Sequence, residues 1–234
     1  MKEDAISNFD WSKEVTRSAQ EIYRQQGLGQ SMGFGRKPAV LIIDMQNDFC
    51  ESDAPSTLYP SILSTYDPIK SLAAAARAKG TPVIYTQGLV AADGSSAGLW
   101  RLKMKHHGLG AVQIENSRGA DIVDYLKPQA GDRIIRKWRP SAFFRTDLEV
   151  FLSVQGIDTL LLAGTSLSGC VRATATDAFM RDIRPMIVKE AVADRSPSVF
   201  EANLFDLHQK YADAVSLQEC LTYLAQLTPD VTIA

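Results

Sequence analysis

Short apolar runs alternate with segments of helical pattern along most of this 234-residue chain. Several of the runs are apolar throughout, as is typical of strands that are buried on both faces of a sheet. Strands that alternate with helices build βαβ units and a parallel sheet with helices on both faces. The expected fold is therefore α/β: a single-domain, three-layer αβα sandwich with a mostly parallel, six-stranded sheet. The six expected strands are 39–44, 81–86, 132–137, 159–163, 185–193 and 214–217.

Capping signals predict the ends of two helices between these strands. Asp67 at the N-cap and Pro68 at the first helical position predict a helix that stops at Gly80. The run TDLE at 146–149 has the capping-box pattern and predicts a second helix, which Gly156 closes. Further helices are expected at 121–126, from Cys170 onward, at 198–211 and at 220–227.

The chain is expected to contain one domain at 31–234, preceded by a helical extension at 1–30. No linker, repeat or low-complexity tract divides the domain. In the extension, the apolar residues recur at the spacing of one amphipathic helix. This helix is expected to pack on the domain or on a neighbouring subunit. The residues that carry the pattern are Val15, Ala19, Ile22 and Tyr23.

Composition disfavours several classes of protein. Lys and Arg (25) nearly balance Asp and Glu (27), so no polyanion-binding surface is indicated and nucleic acid is not an expected partner. No apolar run approaches membrane-spanning length and the N-terminus lacks an apolar signal core, so no membrane association is expected. The three cysteines form no Cys-x-x-Cys pair, which argues against a disulfide framework and a zinc site. A reducing, cytoplasmic location is expected.

The stretch 159–178 contains the best candidate nucleophile. It has the pattern of a strand, a turn of small residues and a helix, with Cys170 in the first helical turn. A thiol there faces unpaired backbone N–H groups and the positive end of the helix dipole, and both favour the nucleophilic thiolate. The alternative is an inert buried cysteine, the more common role of a lone cysteine. The glycines and serines around Cys170 favour catalysis, because glycine lets a substrate approach the backbone closely.

Three of the expected strands lead into reactive side chains. Asp44 ends the first strand, Lys137 ends the third, and Cys170 follows the fourth. In a parallel sheet all three lie at one edge, beyond which ligands bind. Taken singly, Asp44 could cap a loop and Lys137 could be solvated. Their convergence favours a catalytic site.

Histidine offers no good partner for the thiol. Each histidine is expected to be solvated or locally bonded: His106, His107 and His208. Asp44 is then the expected base for Cys170. Lys137 is expected to stabilise the thiolate and the anion that forms on attack.

A long stretch with weak periodicity, 87–118, separates the second strand from the third. Such a loop inside a compact domain is usually functional or disordered. Trp100 within it is a candidate wall of the substrate pocket. The alternative for Trp100 is an aromatic residue of the core or of a subunit interface, which is the more common role.

Three segments resemble the catalytic segments of the isochorismatase-like cysteine hydrolases. They are IIDMQNDF at 42–49, RKWRPSAFFRTDLEVFL at 136–152 and AGTSLSGCVRATATDA at 163–178. The resemblance extends over nearly the whole chain, from residue 32 to residue 227. It implies the isochorismatase-like hydrolase fold.

The same resemblance implies the roles of individual residues. Asp44, Lys137 and Cys170 would form the catalytic triad of the family. A cis peptide bond would join Thr165 to Ser166. The backbone N–H groups of Ser166 and Cys170 would then form an oxyanion hole.

Other segments most resemble one branch of the family, that of N-carbamoylsarcosine amidase and maleamate amidohydrolase. These segments are 33–39, 98–100, 193–197 and 201–215. The resemblance implies hydrolysis of linear amide or ureido bonds (EC 3.5.1) in small substrates that bear a carboxylate. Arg195 would bind that carboxylate, with Trp100 and Thr165 as further substrate-binding candidates. The alternative for Arg195 is an ion pair with Asp194 or Asp177.

Some expectations separate this chain from other members of the family. Nicotinamidases carry a metal-binding Asp and His pair after the first strand. This chain has no His between Met45 and Gly80, so neither a metal nor another cofactor is expected. The family's usual dimers and tetramers imply a homo-oligomer. The alternatives are a nicotinamidase-like or other amide hydrolase, a non-catalytic binding or assembly protein, and a thiol redox enzyme, which the lack of a resolving cysteine near Cys170 disfavours.

Overall fold

Six parallel strands form the sheet of the structure, a computed structural model that describes residues 17–54, 57–103 and 113–228. Their order across the sheet is β3-β2-β1-β4-β5-β6, and every adjacent pair is parallel. The expected α/β sheet is confirmed, and it is parallel throughout. The strands are β1 (Pro38–Ile43), β2 (Val83–Gly88), β3 (Arg133–Lys137), β4 (Thr159–Thr165), β5 (Arg184–Ala193) and β6 (Asp213–Val215).

Helices cover both faces of this sheet. The α-helices are α1 (Arg17–Gln25), α2 (Asn47–Cys50), α3 (Tyr66–Ala78), α4 (Trp100–Lys103), α5 (Leu148–Gln155), α6 (Arg172–Phe179), α7 (Pro197–Lys210) and α8 (Leu217–Gln226). Along β1, Val40 and Ile42 pack in the core with α3 and α8. Leu41 and Ile43 point to the other face and pack with α5, α6 and α7. This alternation gives the three layers that the sequence predicts. No helix in the described part of the chain is long and apolar enough to cross a bilayer.

The strand order reverses between the two central strands, β1 and β4. From β1 the chain proceeds outward to β2 and β3, and from β4 it proceeds outward to β5 and β6. In open α/β sheets this switch point, at the carboxyl ends of the strands, is where ligands bind. Gly164 allows the two strands to approach there, because its φ is +102° and an added Cβ would lie 2.0 Å from the carbonyl oxygen of Ile43.

The capping prediction at the start of α5 is wrong. Asp147 occupies the N-cap and its side chain makes no capping hydrogen bond. The Thr146 hydroxyl donates to the carbonyl of Ala142, and the Glu149 carboxylate accepts from Arg181 at 2.7 Å. The Thr146 oxygen also accepts the backbone N–H of Leu148 at 3.3 Å, but the reciprocal pair of bonds that defines a capping box is not formed. The helix does end at a left-handed glycine, as predicted.

The predicted N-cap of α3 is also wrong. A 3₁₀ turn at Ser61–Thr65 runs directly into α3, so the helix begins at Tyr66 and Asp67 lies in its first turn. Asp67 instead accepts a hydrogen bond from the hydroxyl of Tyr125 at 2.5 Å. A true capping box opens α8, where Ser216 and Glu219 bond each other's backbone.

The helix of the N-terminal extension packs on the domain through α7. The ring of Tyr23 meets Phe205 edge-on at 5.4 Å between centroids, and Lys210 Nζ lies 5.4 Å from the centre of the same ring. Val15, which belongs to the predicted pattern, lies outside the described residues. Ile22 is 51% exposed. The division between an extension at 1–30 and a domain at 31–234 stays a prediction.

Candidate active site

The structure brings Asp44, Lys137 and Cys170 together at the switch point. Asp44 directly follows β1 with a positive φ of 50°, Lys137 is the last residue of β3, and Cys170 lies in the turn after β4. Lys137 Nζ lies 2.7 Å from Asp44 Oδ2 and 3.4 Å from Cys170 Sγ. The three side chains therefore touch, although 93 residues separate Asp44 from Lys137.

Lys137 is buried, not solvated. Its side chain is 2% exposed, and that of Asp44 is 1% exposed. Gly88 pairs with Lys137 across the sheet, and a Cβ added there would lie in ordinary van der Waals contact with Asp44 Oδ2, at 3.5 Å. Besides Asp44 and Cys170, Lys137 Nζ donates to the carbonyl oxygen of Arg139 at 3.2 Å. These partners match the three N–H donors of an ammonium group.

The charge state of Lys137 follows from these neighbours. Burial disfavours the ammonium, but the Asp44 carboxylate and the Cys170 sulfur outweigh it, so the pKa of Lys137 lies above its ordinary value. Lys137 is therefore a fixed positive charge in contact with both the carboxylate and the sulfur.

Burial opposes the thiolate that the sequence pattern around Cys170 favours. Burial raises the pKa of the Cys170 thiol to about 12, even though the Lys137 charge lowers it; the Asp44 carboxylate raises it further. Cys170 also lies in a π-type turn, Leu167–Val171, and α6 begins only at Arg172. The resting group at neutral pH is a neutral thiol, so it needs a base to become a nucleophile.

The turn that carries Cys170 is held from β5. The backbone N–H of Ser168 donates to Asp194 Oδ2 at 2.6 Å, and the other carboxylate oxygen of Asp194 accepts from the backbone N–H of Arg195 at 2.8 Å. Asp194 is only 6% exposed. The peptide bond between Thr165 and Ser166 is cis, as the resemblance implies. The roles of the Ser166 and Cys170 N–H groups as an oxyanion hole stay predictions.

The three predicted substrate-binding residues differ in their surroundings. Thr165 is fully buried, and its hydroxyl has no hydrogen-bond partner within the described chain. The guanidinium carbon of Arg195 lies 6.0 Å from the ring centre of Phe49, and Arg195 lines a groove of about 570 Å³ beside the end of β5. Trp100 begins α4 and is 47% exposed, so it is not a core residue.

The long loop between β2 and β3 is tied to the site at several points. Val90 and Ile114 form a β-bridge, and Arg139, two residues beyond Lys137, donates to the carbonyl of Ser96 at 2.8 Å. The middle of this loop, 104–112, lies outside the described residues, and so do His106 and His107.

The remaining histidine is locally bonded, as expected. His208 is 7% exposed, and its Nδ1 accepts the backbone N–H of Ala214 at 3.2 Å. It contacts the amino end of β6, and the catalytic candidates lie at the opposite edge of the sheet. Within 17–54, 57–103 and 113–228, no group of three or more His, Cys, Asp or Glu side chains is placed to hold a metal ion.

Two buried polar residues of the site escaped the sequence analysis. The hydroxyl of Thr86, on β2, donates to Asp44 Oδ1 at 2.5 Å and accepts the backbone N–H of Asp44 at 3.1 Å. The amide of Gln46 is bonded to both backbone groups of Gly88 and to the carbonyl of Ala120. The position of Thr86 could have identified it from the sequence, because it is a polar residue near the carboxyl end of a strand, like Asp44 and Lys137.

Comparisons with known proteins identify the family that the chain resembles. A family model described as "Isochorismatase domain" matches residues 38–219. Maleamate amidohydrolase of Pseudomonas putida is 40% identical over 217 residues, which cover 90% of this chain and 97% of that protein. N-carbamoylsarcosine amidase of an Arthrobacter species is 36% identical over 220 residues, which cover 92% of this chain and 81% of that protein. The crystal structure of an isochorismatase family protein from Desulfovibrio vulgaris matches with a TM-score of 0.74 and 36% identity, over 82% of this chain and all of that one.

Proposed function

This chain belongs to the isochorismatase family, and on that premise we propose that it cleaves its substrate through a thioester on Cys170. It is a hydrolase of carbon–nitrogen bonds other than peptide bonds, in linear amides (EC 3.5.1). The proposed substrate is a small carboxylate that carries a carboxamide or a ureido group. The observation that carries the mechanism is the contact of one buried ammonium, Lys137, with both the Asp44 carboxylate and the Cys170 sulfur.

Acylation begins with the neutral thiol. As Cys170 Sγ attacks the carbonyl carbon, Asp44 takes the thiol proton, a C–S bond forms and the C=O π electrons move to the oxygen. Lys137 stays positive and stabilises the negative charge that passes through the sulfur. The backbone N–H groups of Ser166 and Cys170 hold the oxyanion. When the oxyanion collapses, the C–N bond breaks and Asp44 gives its proton to the departing ammonia.

Deacylation uses the same base a second time. Asp44 takes a proton from water, and the hydroxide attacks the thioester carbon. The C–S bond then breaks, and the sulfur regains a proton from Asp44. The product is a carboxylic acid from a carboxamide or a carbamic acid from a ureido group. The thiol proton leaves with ammonia and a proton from water replaces it on the sulfur, so Asp44 and Cys170 end the cycle as they began and one water is consumed per substrate.

Substrate recognition rests on residues around the triad. Maleamate and N-carbamoylsarcosine, the compounds that give two relatives their names, are both carboxylates. Arg195 binds the carboxylate of the substrate, because a guanidinium can pair with it through two hydrogen bonds. The buried hydroxyl of Thr165 bonds a polar group of the substrate, which satisfies a group that otherwise has no partner within the described chain. Trp100 covers the pocket from the loop.

The protein acts in the cytoplasm as a homo-oligomer, a dimer or a tetramer. A reducing compartment keeps Cys170 free, and all three cysteines are free in the structure. No metal or other cofactor takes part in the cycle described above, because Asp44 and Lys137 supply the proton transfers and the charge.

The test is ammonia release from a panel of maleamate, N-carbamoylsarcosine and nicotinamide, together with the methyl esters of the two acids. We expect activity on a free acid, loss of it with the ester, and loss of at least 100-fold in Cys170→Ala, because the nucleophile is gone. Hydroxylamine should trap the acyl group, as a hydroxamate from a carboxamide or as an N-hydroxyurea from a ureido substrate. Full activity in Cys170→Ala would exclude the thioester.

The same panel separates the alternatives. Activity on nicotinamide alone would identify a nicotinamidase-like enzyme. No ammonia from any compound, and no hydroxamate or N-hydroxyurea, would favour a binding or assembly protein that keeps the fold. Cys220→Ala is the matched control, because Cys220 is fully buried on α8 and takes no part in the site.

A further inference from the structure

We propose that Thr86 is a positioning residue, whose hydroxyl fixes the carboxylate of Asp44 in the orientation that the reaction needs. The inference rests on the proposed function, since it assigns Asp44 the part of the base. Thr86 lies on β2, the strand next to β1, and is 0% exposed. Both hydrogen bonds of its hydroxyl are made with Asp44, so we infer that it acts through Asp44.

The hydrogen bonds between Thr86 and Asp44 close a ring. The backbone N–H of Asp44 donates to Thr86 Oγ1 at 3.1 Å, and Thr86 Oγ1 donates to Asp44 Oδ1 at 2.5 Å. A hydroxyl has one proton to give. Since the backbone N–H already points at the oxygen, the hydroxyl proton is directed to the carboxylate. One side chain thus fixes both the backbone and the carboxylate of the same residue.

The ring matters because Asp44 has an unusual backbone. Its φ is +50°, a left-handed backbone conformation that residues other than glycine adopt rarely. The acceptor that Thr86 offers to the Asp44 N–H keeps this buried donor satisfied. The left-handed conformation in turn directs Asp44 to the edge of the sheet, where Lys137 and Cys170 lie.

Thr86 and Lys137 each donate a hydrogen bond to a different oxygen of the Asp44 carboxylate. Thr86 donates to Oδ1, and Lys137 Nζ donates to Oδ2 at 2.7 Å. With one donor on each oxygen, the plane of the carboxylate cannot rotate without breaking a charge-assisted hydrogen bond. Without Thr86, Oδ1 would lose this donor, and the carboxylate would be held only from the side of Lys137 and the Cys170 thiol.

Threonine suits this task better than other hydroxyl residues. Its β-branch restricts χ1, so the hydroxyl needs little ordering when the site forms. Valine has the same shape without the hydroxyl, which makes Thr86→Val the sharpest substitution. Serine keeps the hydroxyl without the methyl group, so Thr86→Ser should retain the ring.

Thr65 provides the matched control. It is 1% exposed, and its hydroxyl donates to the carbonyl of Ile62 at 2.7 Å in the 3₁₀ turn before α3. Thr65→Val therefore removes an equally buried hydroxyl that has no contact with the triad. Any general cost of placing valine at a buried threonine should appear in both variants.

The first measurement is steady-state ammonia release. In Thr86→Val we expect kcat to fall about 10- to 100-fold, because a misplaced base loses much of its contribution. KM should stay within about twofold, because Thr86 does not touch the substrate. Thr86→Ser should restore most of kcat, and Thr65→Val should leave it unchanged. A Thr86→Val enzyme with normal kcat, or a Thr86→Ser enzyme as slow as Thr86→Val, would overturn the proposal.

The second measurement does not depend on the substrate. In a crystal structure of Thr86→Val we expect the Asp44 carboxylate to rotate away from its place, whereas in Thr65→Val it should not move. If the wild-type protein releases no ammonia from the panel, the proposed function fails, yet this comparison still decides the role of Thr86. An unmoved Asp44 in Thr86→Val would refute it. So would a Thr86→Val and a Thr86→Ala protein that both fail to fold while Thr65→Val folds, because the role would then be structural.

Discussion

The charge of Asp44 has two opposite effects on Cys170. As a base, Asp44 makes the thiol reactive by taking its proton during attack. As a neighbouring anion, it raises the pKa of that thiol and so lowers the fraction of thiolate at rest. Lys137 has the reverse electrostatic effect, since its positive charge lowers the pKa of Cys170.

These opposite effects give a prediction for Asp44→Asn. Ammonia release should fall by about 100-fold or more, because the general base is lost. Alkylation of Cys170 by iodoacetamide should nevertheless become faster at pH 8, because the pKa of Cys170 falls when the neighbouring negative charge is removed. The rate is measured on the Cys170 peptide by mass spectrometry.

Lys137→Met is the opposing control for this prediction. Loss of its positive charge should raise the pKa of Cys170 further, so alkylation should slow at the same pH while ammonia release also falls. In the wild type, the alkylation rate should keep rising with pH from 7 to 10, since the pKa of Cys170 is about 12. Slower alkylation in Asp44→Asn than in the wild type would show that Asp44 does not act on Cys170 in this way.

At the scale of single residues, the sequence predicts the positions of the site residues better than their protonation and hydrogen bonding. Asp44, Lys137 and Cys170 could be placed together because each stands at or just after the carboxyl end of a parallel strand. The raised pKa of the Cys170 thiol could not be foreseen, because it depends on burial and on the distances to two charges. Thr86 was visible only as a polar strand residue, and its two hydrogen bonds depend on the positive φ of Asp44.

At the scale of elements, the meeting of β1 and β4 requires a glycine. Gly164 pairs with Ile43, has φ +102°, and leaves no space for a Cβ against the Ile43 backbone. The next residue along each strand leads into the site, with Asp44 after β1 and Thr165 at the end of β4. A shift at this contact would therefore move the base relative to the nucleophile turn.

Gly164→Ala should accordingly lose both stability and activity. Gly156→Ala is the matched control, because Gly156 also has a positive φ, +66°, but an added Cβ would meet nothing within 4 Å. The control should cost about 1–2 kcal/mol, the strain of a left-handed alanine. Gly164→Ala should cost clearly more, because the clash with Ile43 is added. Urea unfolding measures the free energy of unfolding of both variants. An equal loss of stability in the two would contradict the close contact between Gly164 and Ile43.

The failure of two capping predictions has a physical cause at the same scale. A capping box is a local pattern, but its side chains can form other bonds once the chain folds. Glu149 bonds Arg181, which is 32 residues away in sequence, and Asp67 accepts from Tyr125. Gly156 was predicted correctly because the need for a left-handed residue at a helix end is local.

At the scale of the whole molecule, the alternation of strands and helices was sufficient to predict the layers but not the strand order. Right-handed βαβ units allow several parallel orders. The reversal between β1 and β4 became visible only in the structure, and it explains why Asp44 and Cys170 lie on either side of one crevice. The first three strands supply the base and the ammonium, and the last three supply the nucleophile and Asp194.

A further property of the whole molecule is the dependence of its stability on pH, which His208 should dominate near pH 6. Burial lowers the pKa of His208 below its ordinary value of 6.5. Between 6.5 and the lower folded-state pKa, the unfolded chain binds a proton that the folded chain does not. The free energy of unfolding should therefore fall as pH decreases through this window. The partly buried Asp158 also costs stability in acid, but only below its ordinary pKa of 3.8.

His208→Asn tests this assignment, because an asparagine oxygen can still accept the backbone N–H of Ala214 that Nδ1 accepts now. Asparagine does not titrate, so the slope of unfolding free energy against pH from 7.5 to 5 should be smaller in the variant than in the wild type. Urea unfolding at four pH values in this range measures the slope. At pH 7.5 His208 is neutral in both the folded and the unfolded chain, so the difference in unfolding free energy between the two proteins there measures the substitution itself and not the titration. An unchanged slope would assign the acid sensitivity to other groups and leave His208 as a packing residue beneath β6.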